Sequence, residues 1–277
     1  MNIYYTGVTS AVGNELNKLG CRPLACDITS YDSVHSAIRR SVAHPDVIIN
    51  LAGLSDVDFC EKKENQELVI KTNVRGAYNV ALAAEDSGGI PVVFVSTDHV
   101  FDGKHGPYKE NAKLTPPVNF YGSSKLAMEG IGLNFNNVKI VRTSYLFSYK
   151  RVMEVSEYGY PTFLNRSFMY VTNFAKALYI YAFGVHGMPK MLHISGSETI
   201  SWYEFRLACA SVLGWDKNNI IPRRKEISGV YGYDAPRPHK AGLNVSLSKK
   251  LSLPQYSYLA GLHQMKQDKI NNELGYT

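Results

Sequence analysis

Pro91-Val92-Val93-Phe94-Val95-Ser96-Thr97-Asp98 begins as an unbroken apolar run and stops on three small polar side chains. A strand buried on both faces has that composition. The polar stop falls where a central strand would reach its carboxyl end, the edge at which open α/β sheets bind ligands. Downstream, Tyr121-Gly122-Ser123-Ser124-Lys125 leads into the helical pattern Leu126-Ala127-Met128-Glu129. Tyr121 and Lys125 stand four apart, so on a helix they share a face and can reach one ligand.

A hydroxyl at a strand end, a tyrosine and a lysine are the parts of one acid catalyst. A free phenol has a pKa of about 10, and an ammonium ~4–6 Å away lowers it. A shift to about 7 takes roughly 4 kcal/mol of differential stabilisation. Thr97 could hydrogen-bond a substrate carbonyl oxygen while Tyr121 protonates it, and another group must then deliver a hydride. A lone Tyr-x-x-x-Lys is ordinary surface helix chemistry. Its place behind a buried strand ending in Ser-Thr-Asp is what sets this one apart.

Toward the amino end, Ile3 to Thr6 reads as a first strand, followed by Gly7-Val8-Thr9-Ser10-Ala11-Val12-Gly13 and helix-forming Asn14 to Leu19. Strand, glycine turn and helix are the setting in which such a pattern seats a pyrophosphate on a helix N-terminus. Ser10 takes the middle glycine position, where its Cβ would crowd a phosphate and its hydroxyl could donate to one. Cys21 to Ala25 is a very short second strand. After it, Asp27 either approaches an adenosine or, like Thr29, caps a helix over Tyr31–Ser41. Pro45 to Gly53 is a further buried strand ending in small residues. Asp56 to Ala84 reads as one long helical region, in which Asn73 would brace the sheet by hydrogen bonds. Val138 to Arg142 reads as a sixth strand, ending at Thr143-Ser144-Tyr145. The alternation across the first 145 residues indicates an α/β, doubly wound parallel sheet.

Beyond Tyr145 the pattern changes. Ser148 to Tyr160 is polar and Pro161 to Met169 lacks a clear period. A helix over Tyr170–Val185, a strand over Met191–Ile194, a capped helix opening at Ser201 with Glu204, and a final helix from Tyr258 follow. We therefore expect a dinucleotide-binding domain over residues 1–147. Residues 148–277 would form a small substrate lobe, with elements returning to the sheet. His193 is expected in the core.

The chain has 277 residues, 45% apolar and 19% charged, enough for one large α/β domain with a smaller lobe and too apolar for disorder. Its charge of +6 is spread over scattered basic pairs and one triplet, Arg223-Arg224-Lys225. That pattern suits attraction of a small anionic ligand and not a nucleic-acid stripe. The four cysteines lack metal or redox spacing, so reduced thiols, no metal and a cytoplasmic setting are expected. The first strand leaves no room for a signal peptide. Tyr170–Val185 carries Asn173 and Lys176 and falls short of the about 20 apolar residues of a membrane span.

The chain resembles the extended short-chain dehydrogenases/reductases, most closely the dTDP-4-dehydrorhamnose reductase family. The resemblance rests on Gly7 to Gly13, Cys26 to Thr29, Pro45 to Asn50, Val57 to Glu61, Ser96 to Gly103, Pro107 to Glu110 and Tyr121 to Leu126. It continues through Arg142-Thr143-Ser144, Ser201 to Phe205 and Arg237-Pro238. It implies a catalytic trio. Tyr121 would donate the proton, Lys125 would bind the nicotinamide ribose and lower the tyrosine pKa, and Thr97 would orient a keto oxygen. For an NADP or NAD cofactor, Gly7, Thr9, Ser10, Ala11, Val12 and Gly13 would hold the pyrophosphate. Asp27 and Ile28 would take the adenine side, and Leu51, Ala52 and Gly53 the middle; Ser96, Tyr121 and Lys125 would also touch it. Ser96, Thr97, Asp98, His99, Val100, Tyr121, Tyr145 and Arg237 would meet a nucleotide sugar.

The implied reaction is reduction of the 4-keto carbon of a nucleotide-linked 6-deoxysugar. The resemblance is compatible with a homodimer and implies neither nucleic acid nor membrane as partner. His99 stands where the family commonly has tyrosine, Tyr145 where it has tryptophan, and Met169-Tyr170 where it has Pro-Thr. Ser148 to Tyr160 is short for the family's substrate-contacting helix. Two other readings remain open: a nucleotide-sugar epimerase or dehydratase that recycles its cofactor, and a non-catalytic dinucleotide-binding regulatory subunit like that of methionine adenosyltransferase.

Overall fold

Six parallel strands form the central sheet, in spatial order Met191–His193, Val138–Thr143, Val92–Thr97, Val47–Asn50, Ile3–Thr6 and Arg22–Pro23. The structure is a computed structural model and describes residues 1–154, 159–224 and 235–274. Strand side chains alternate between two apolar layers, as the period of two requires. Tyr4, Ile48, Phe94 and Ile140 face helices Tyr31–Arg39, Ala77–Asp86 and Phe120–Asn134. Ile3, Tyr5, Ile49, Val93 and Val141 face Ala11–Lys18 and Val171–Phe183. Both faces are covered, so the sheet is doubly wound as expected. Chain order reverses between Ile3–Thr6 and Val47–Asn50, which makes the carboxyl ends there the switch point where ligands bind.

Several boundaries differ from expectation. The strand Val138–Thr143 is the fifth in the chain, and Met191–His193 joins beside it as the sixth. The second strand pairs only at Arg22 and Pro23. Helix Tyr31–Arg39 is capped by Ser30, whose extended backbone lets its Oγ accept from the Ser33 amide. Asp27 and Thr29 therefore do not cap it. Asp27 instead accepts from the Thr29 amide at 2.9 Å and hydroxyl at 2.8 Å.

The long helical region is broken. Val57–Glu61 ends at Lys62, whose backbone is extended, and Ile70–Gly76 is a wider π-type stretch before Ala77–Asp86. Asn73 sits in that stretch. Its Oδ1 accepts from the Leu54 amide, and its Nδ2 donates to the Leu54 carbonyl and to Ser124 Oγ. It thus braces the Leu54 loop and the Phe120–Asn134 helix, where the sheet was expected.

The carboxyl-terminal elements pack a separate aromatic cluster of Phe147, Phe168, Tyr170 and Phe205 with Leu262 and Met265. The Ser201–Glu204 capping box is present, and the last helix spans Tyr258–Glu273. His193 is fully buried. Among the described residues no helix is long and apolar enough to cross a membrane.

Candidate functional site

Thr97 ends the central strand, buried, and its hydroxyl accepts from the His99 amide at 3.2 Å and donates to Asp98 Oδ1 at 3.3 Å. The helix Phe120–Asn134 starts beside it. Asn119 caps that helix through Oδ1 to the Gly122 amide at 2.8 Å, and Glu61 accepts from the Phe120 amide at 2.8 Å. Acceptors and negative charge at a helix N-terminus satisfy its free amides and oppose the dipole. Gly122 allows the close approach: a Cβ there would lie 2.2 Å from the His99 carbonyl oxygen. The other Asn119 atom, Nδ2, donates to the Pro236 carbonyl at 2.8 Å and to His99 Nδ1 at 3.0 Å. The imidazole proton is thereby placed on Nε2. Burial, with Arg166 and Arg237 nearby, holds the His99 pKa well below the usual range, so the ring is neutral. It lies edge-on to Tyr121 with centroids 5.6 Å apart.

Tyr121 and Lys125 share the helix face as expected, but their electrostatics differ from expectation. Burial pushes the Tyr121 phenol up, Asp98 and Cys60 act the same way, and the Thr97 hydrogen bond and Arg151 offset part of it. Tyr121 is only half-buried, so water tempers the shift without reversing it. The Lys125 amine has contacts of its own. The Lys125 Nζ donates to the Val95 carbonyl at 2.6 Å and approaches Met128 Sδ at 3.2 Å. Burial brings its own pKa down to about 8, with Glu129 pulling upward. Tyr121 therefore keeps its proton at neutral pH.

Two residues expected at the site serve other contacts. The Ser96 hydroxyl donates to Glu129 Oε1 at 2.6 Å, in a buried layer where Glu129 also takes Arg142 Nε at 2.8 Å and Nη2 at 2.7 Å. Val100 is fully buried with Phe101, Tyr108 and Leu243, so its side chain belongs to the core and does not line a pocket. The spacing of Glu129, four beyond Lys125, was a signal for this layer that motif reading passed over.

On the opposite side of the switch point, Gly7 adopts φ +71°, and a Cβ there would come within 2.8 Å of the Leu51 and Ala52 backbone. Only glycine fits that approach. The helix begins at Ala11, earlier than expected, because Ser10 caps it by accepting from the Gly13 amide at 3.0 Å. Gly13 is thus a helix residue pressed under Tyr5, and its amide is already used. The Ala11 and Val12 amides of the first turn remain without intrahelical acceptors, beside exposed Thr9. Leu51 and Ala52 are half-buried and Gly53 exposed. Asp27 is exposed, and the Thr29 amide and hydroxyl hold its carboxyl below the usual range. The Ile28 side chain is buried against Gly76 and is part of the core.

The remaining wall comes from the carboxyl-terminal half. Asp98 is buried and accepts from Ser144 Oγ at 2.5 Å, with Arg166 Nε at 3.5 Å, so it ties two segments together. Tyr145 meets the edges of Trp202 and Phe168 at 4.5 and 5.5 Å, under the Arg151 guanidinium. Arg237 pairs with Asp58 at 2.7 Å, and Asp58 also accepts from the Ala235 amide at 2.9 Å. Asp58 and Glu61 are three apart on one short helix and hold the loop and the catalytic helix candidate respectively. Motif reading noted that run without seeing its role. It also missed Arg206, which donates to the Val152 and Glu154 carbonyls and to the Tyr160 hydroxyl. That clamp holds the short segment after the fifth strand, within which residues 155–158 lie outside the described ones.

A model of the RmlD substrate binding domain matches residues 1–270. The chain belongs to this family. Among RmlD-family relatives and other similar proteins, the spore coat polysaccharide biosynthesis protein SpsK of Bacillus subtilis is 31% identical over 73% of this chain and 72% of its own. The methionine adenosyltransferase 2 subunit beta of Danio rerio is 27% identical over 91% of this chain and 85% of its own. A crystal structure of dTDP-4-dehydrorhamnose reductase from Bacillus anthracis in complex with NADP superposes with a TM-score of 0.83 at 25% identity. It covers 97% of this chain and 100% of that one.

Proposed function

We propose that this chain reduces the 4-keto group of a nucleotide-linked 6-deoxysugar with NAD(P)H, as a dTDP-4-dehydrorhamnose reductase does, in nucleotide-sugar and cell-surface polysaccharide biosynthesis. One observation carries the reading: a half-buried tyrosine that keeps its proton stands beside a strand-end threonine at the edge of a switch-point sheet. The family membership and the NADP-bound reductase of the same fold support it.

The residues around Gly7 fit a dinucleotide. The backbone cradle there admits no Cβ, and the Ala11 and Val12 amides face outward from a helix N-terminus, a site suited to a pyrophosphate. Gly7, Thr9, Ser10 and Ala11 would hold that group, Asp27 the adenosine, and Ala52 and Gly53 the middle. Bound there, the cofactor supplies the hydride. Tyr121 gives its phenolic proton to the oxygen of the reduced carbonyl. Thr97 holds that oxygen, which requires its hydroxyl to turn from Asp98 toward the substrate. Lys125 is the cation of the site and His99 a neutral donor through Nε2. Tyr145 and Arg237 face the sugar nucleotide. Residues 1–147 would seat the cofactor and 148–277 the substrate, in a cytoplasmic homodimer that engages neither nucleic acid nor membrane.

The identity with a methionine adenosyltransferase subunit across nearly the whole chain favours a second reading, a non-catalytic dinucleotide-binding partner of another enzyme. Steady oxidation of NAD(P)H by the purified chain with a dTDP-4-keto-6-deoxysugar supports the reductase. Tight cofactor binding with no turnover of any keto sugar supports the partner protein.

A further inference from the structure

Tyr121, Lys125 and Glu129 lie at i, i+4 and i+8 of one helix and so form one stripe. The first two serve the proposed reaction, and the third is buried to 1% exposure one turn behind them. Both Glu129 oxygens are fixed, by Arg142 Nε and Nη2 and by the Ser96 hydroxyl, at 2.6 to 2.8 Å. Three donors, two of them from one guanidinium, thus fix the carboxylate in place. Lys125 in contrast has only neutral partners at its amine, the Val95 carbonyl and Met128 sulfur, and is 8% exposed. An ammonium so poorly hydrated tends to lose its proton unless an anion lies close. Glu129 is the anion placed to do this. A buried ion pair is in general weak evidence of stabilisation, so the Glu129–Arg142 pair invites a role beyond holding the fold.

We propose that Glu129 is a positioning residue that holds Lys125 as an ammonium ion at the working pH, with Arg142 and Ser96 fixing its carboxylate in the helical turn that follows Lys125. The inference rests on the reductase reading only for the use made of that charge. The groups around the stripe are Glu129 itself, Arg142 from the neighbouring strand, Tyr121 one turn back, and Asp98 and Cys60, whose effect falls on Tyr121. His193 lies beyond Arg142, 3.5 Å from its Nη1, and is neutral, with its pKa pulled down to about 3 by burial. Of these, Glu129 acts on Lys125 in the direction proposed.

The test is the titration of Lys125, followed by nitrogen-15 NMR of its side chain and assigned with a Lys125→Met variant. In the unaltered chain the midpoint is expected at about 8. Glu129→Gln is expected to move it down by about one pH unit, a tenfold loss of proton affinity. If Glu129→Gln does not fold because Arg142 is left unpaired, the double variant Glu129→Gln/Arg142→Met removes the pair together and is expected to show a smaller downward displacement, because the Arg142 cation leaves with the anion. The alkaline limb of turnover should move with it, whereas a merely structural role would lower the melting temperature and leave both unmoved. An unchanged midpoint in either folded variant overturns the proposal. A displaced midpoint in a chain without reductase turnover upholds it and rejects the reductase reading instead.

Discussion

The two walls of the candidate site are held by different physics. The wall made by Val92–Thr97 and Phe120–Asn134 belongs to regular structure. Several of its polar atoms are bonded between neighbouring strands and one helix, from Asn119 and Gly122 at the helix start to Ser96, Glu129 and Arg142 behind it. The wall made by residues 144–154, 159–166 and 235–239 consists of short elements and loops and is held across long chain separations by single side chains: Asp58 to Arg237, Asp98 to Arg166, Arg206 to Val152 and Glu154. The first wall carries the proposed proton chemistry and has little tolerance for displacement. The second can change residue by residue while the chemistry stays, which suits the choice of sugar nucleotide.

Changes in the first wall should strike turnover. Tyr121→Phe keeps the ring and removes the proton, so kcat should fall by about 10²- to 10⁴-fold with KM little changed. Undiminished activity would remove the phenol from the mechanism. Gly122→Ala puts a Cβ against the His99 backbone carbonyl, where neither side can yield. It should cost about 3 kcal/mol in urea denaturation, together with a large loss of kcat as the helix start shifts. A stable, active variant would show that this wall is softer than its contacts indicate.

Lys125→Met separates stability from function in the same wall. Lys125 has a folded pKa of about 8, below its unfolded value, so its burial as a cation opposes folding fully below that pH. As pH rises from about 8 through the unfolded lysine pKa of about 10.4, the opposition fades. At pH 7 the variant should gain about 2 kcal/mol, after the loss of the hydrogen bond to Val95, and the gain should shrink above pH 8 while activity is lost. Denaturation curves at pH 7 and pH 10 check the sign. A destabilised variant at pH 7 would mean that the ammonium is better compensated than burial implies.

In the second wall, Asp58→Ala removes one contact each of Arg237 and the Ala235 amide without touching the strand end. It should raise KM for the sugar nucleotide about 5- to 10-fold with kcat near its original value, and cost no more than about 1 kcal/mol of stability. A fall in kcat with KM unchanged would blur the distinction between the walls.

The same contrast governs what could be read from the chain. The apolar runs at Val47 and Val92 and the alternation of strands with helices are local patterns, so the doubly wound sheet and the Tyr121–Lys125 face were legible. Helix starts were legible only where the cap directly precedes the helix with a matching partner, as at Ser201. At Ser30, Asp27 was an equally good cap by residue type, and only the backbone conformation decided. Ile28 and Val100 stood within ligand-binding motifs, yet their side chains are drawn into the core by Gly76 and by Phe101. Nothing local announces such a destination. The pKa of Tyr121 was misjudged for the same reason: Lys125 shares its helix face, but tertiary packing directs the amine to the Val95 carbonyl.

The measurement that bears most directly on the account is a turnover with NAD(P)H carrying deuterium at the transferable position and a dTDP-4-keto-6-deoxysugar, read by mass spectrometry and NMR of the product. The account predicts one deuterium on the sugar C4 for each cofactor oxidised, with the transfer lost in Tyr121→Phe. A rearranged sugar with no net cofactor oxidation, or a tightly bound cofactor and an unchanged keto sugar, would contradict it.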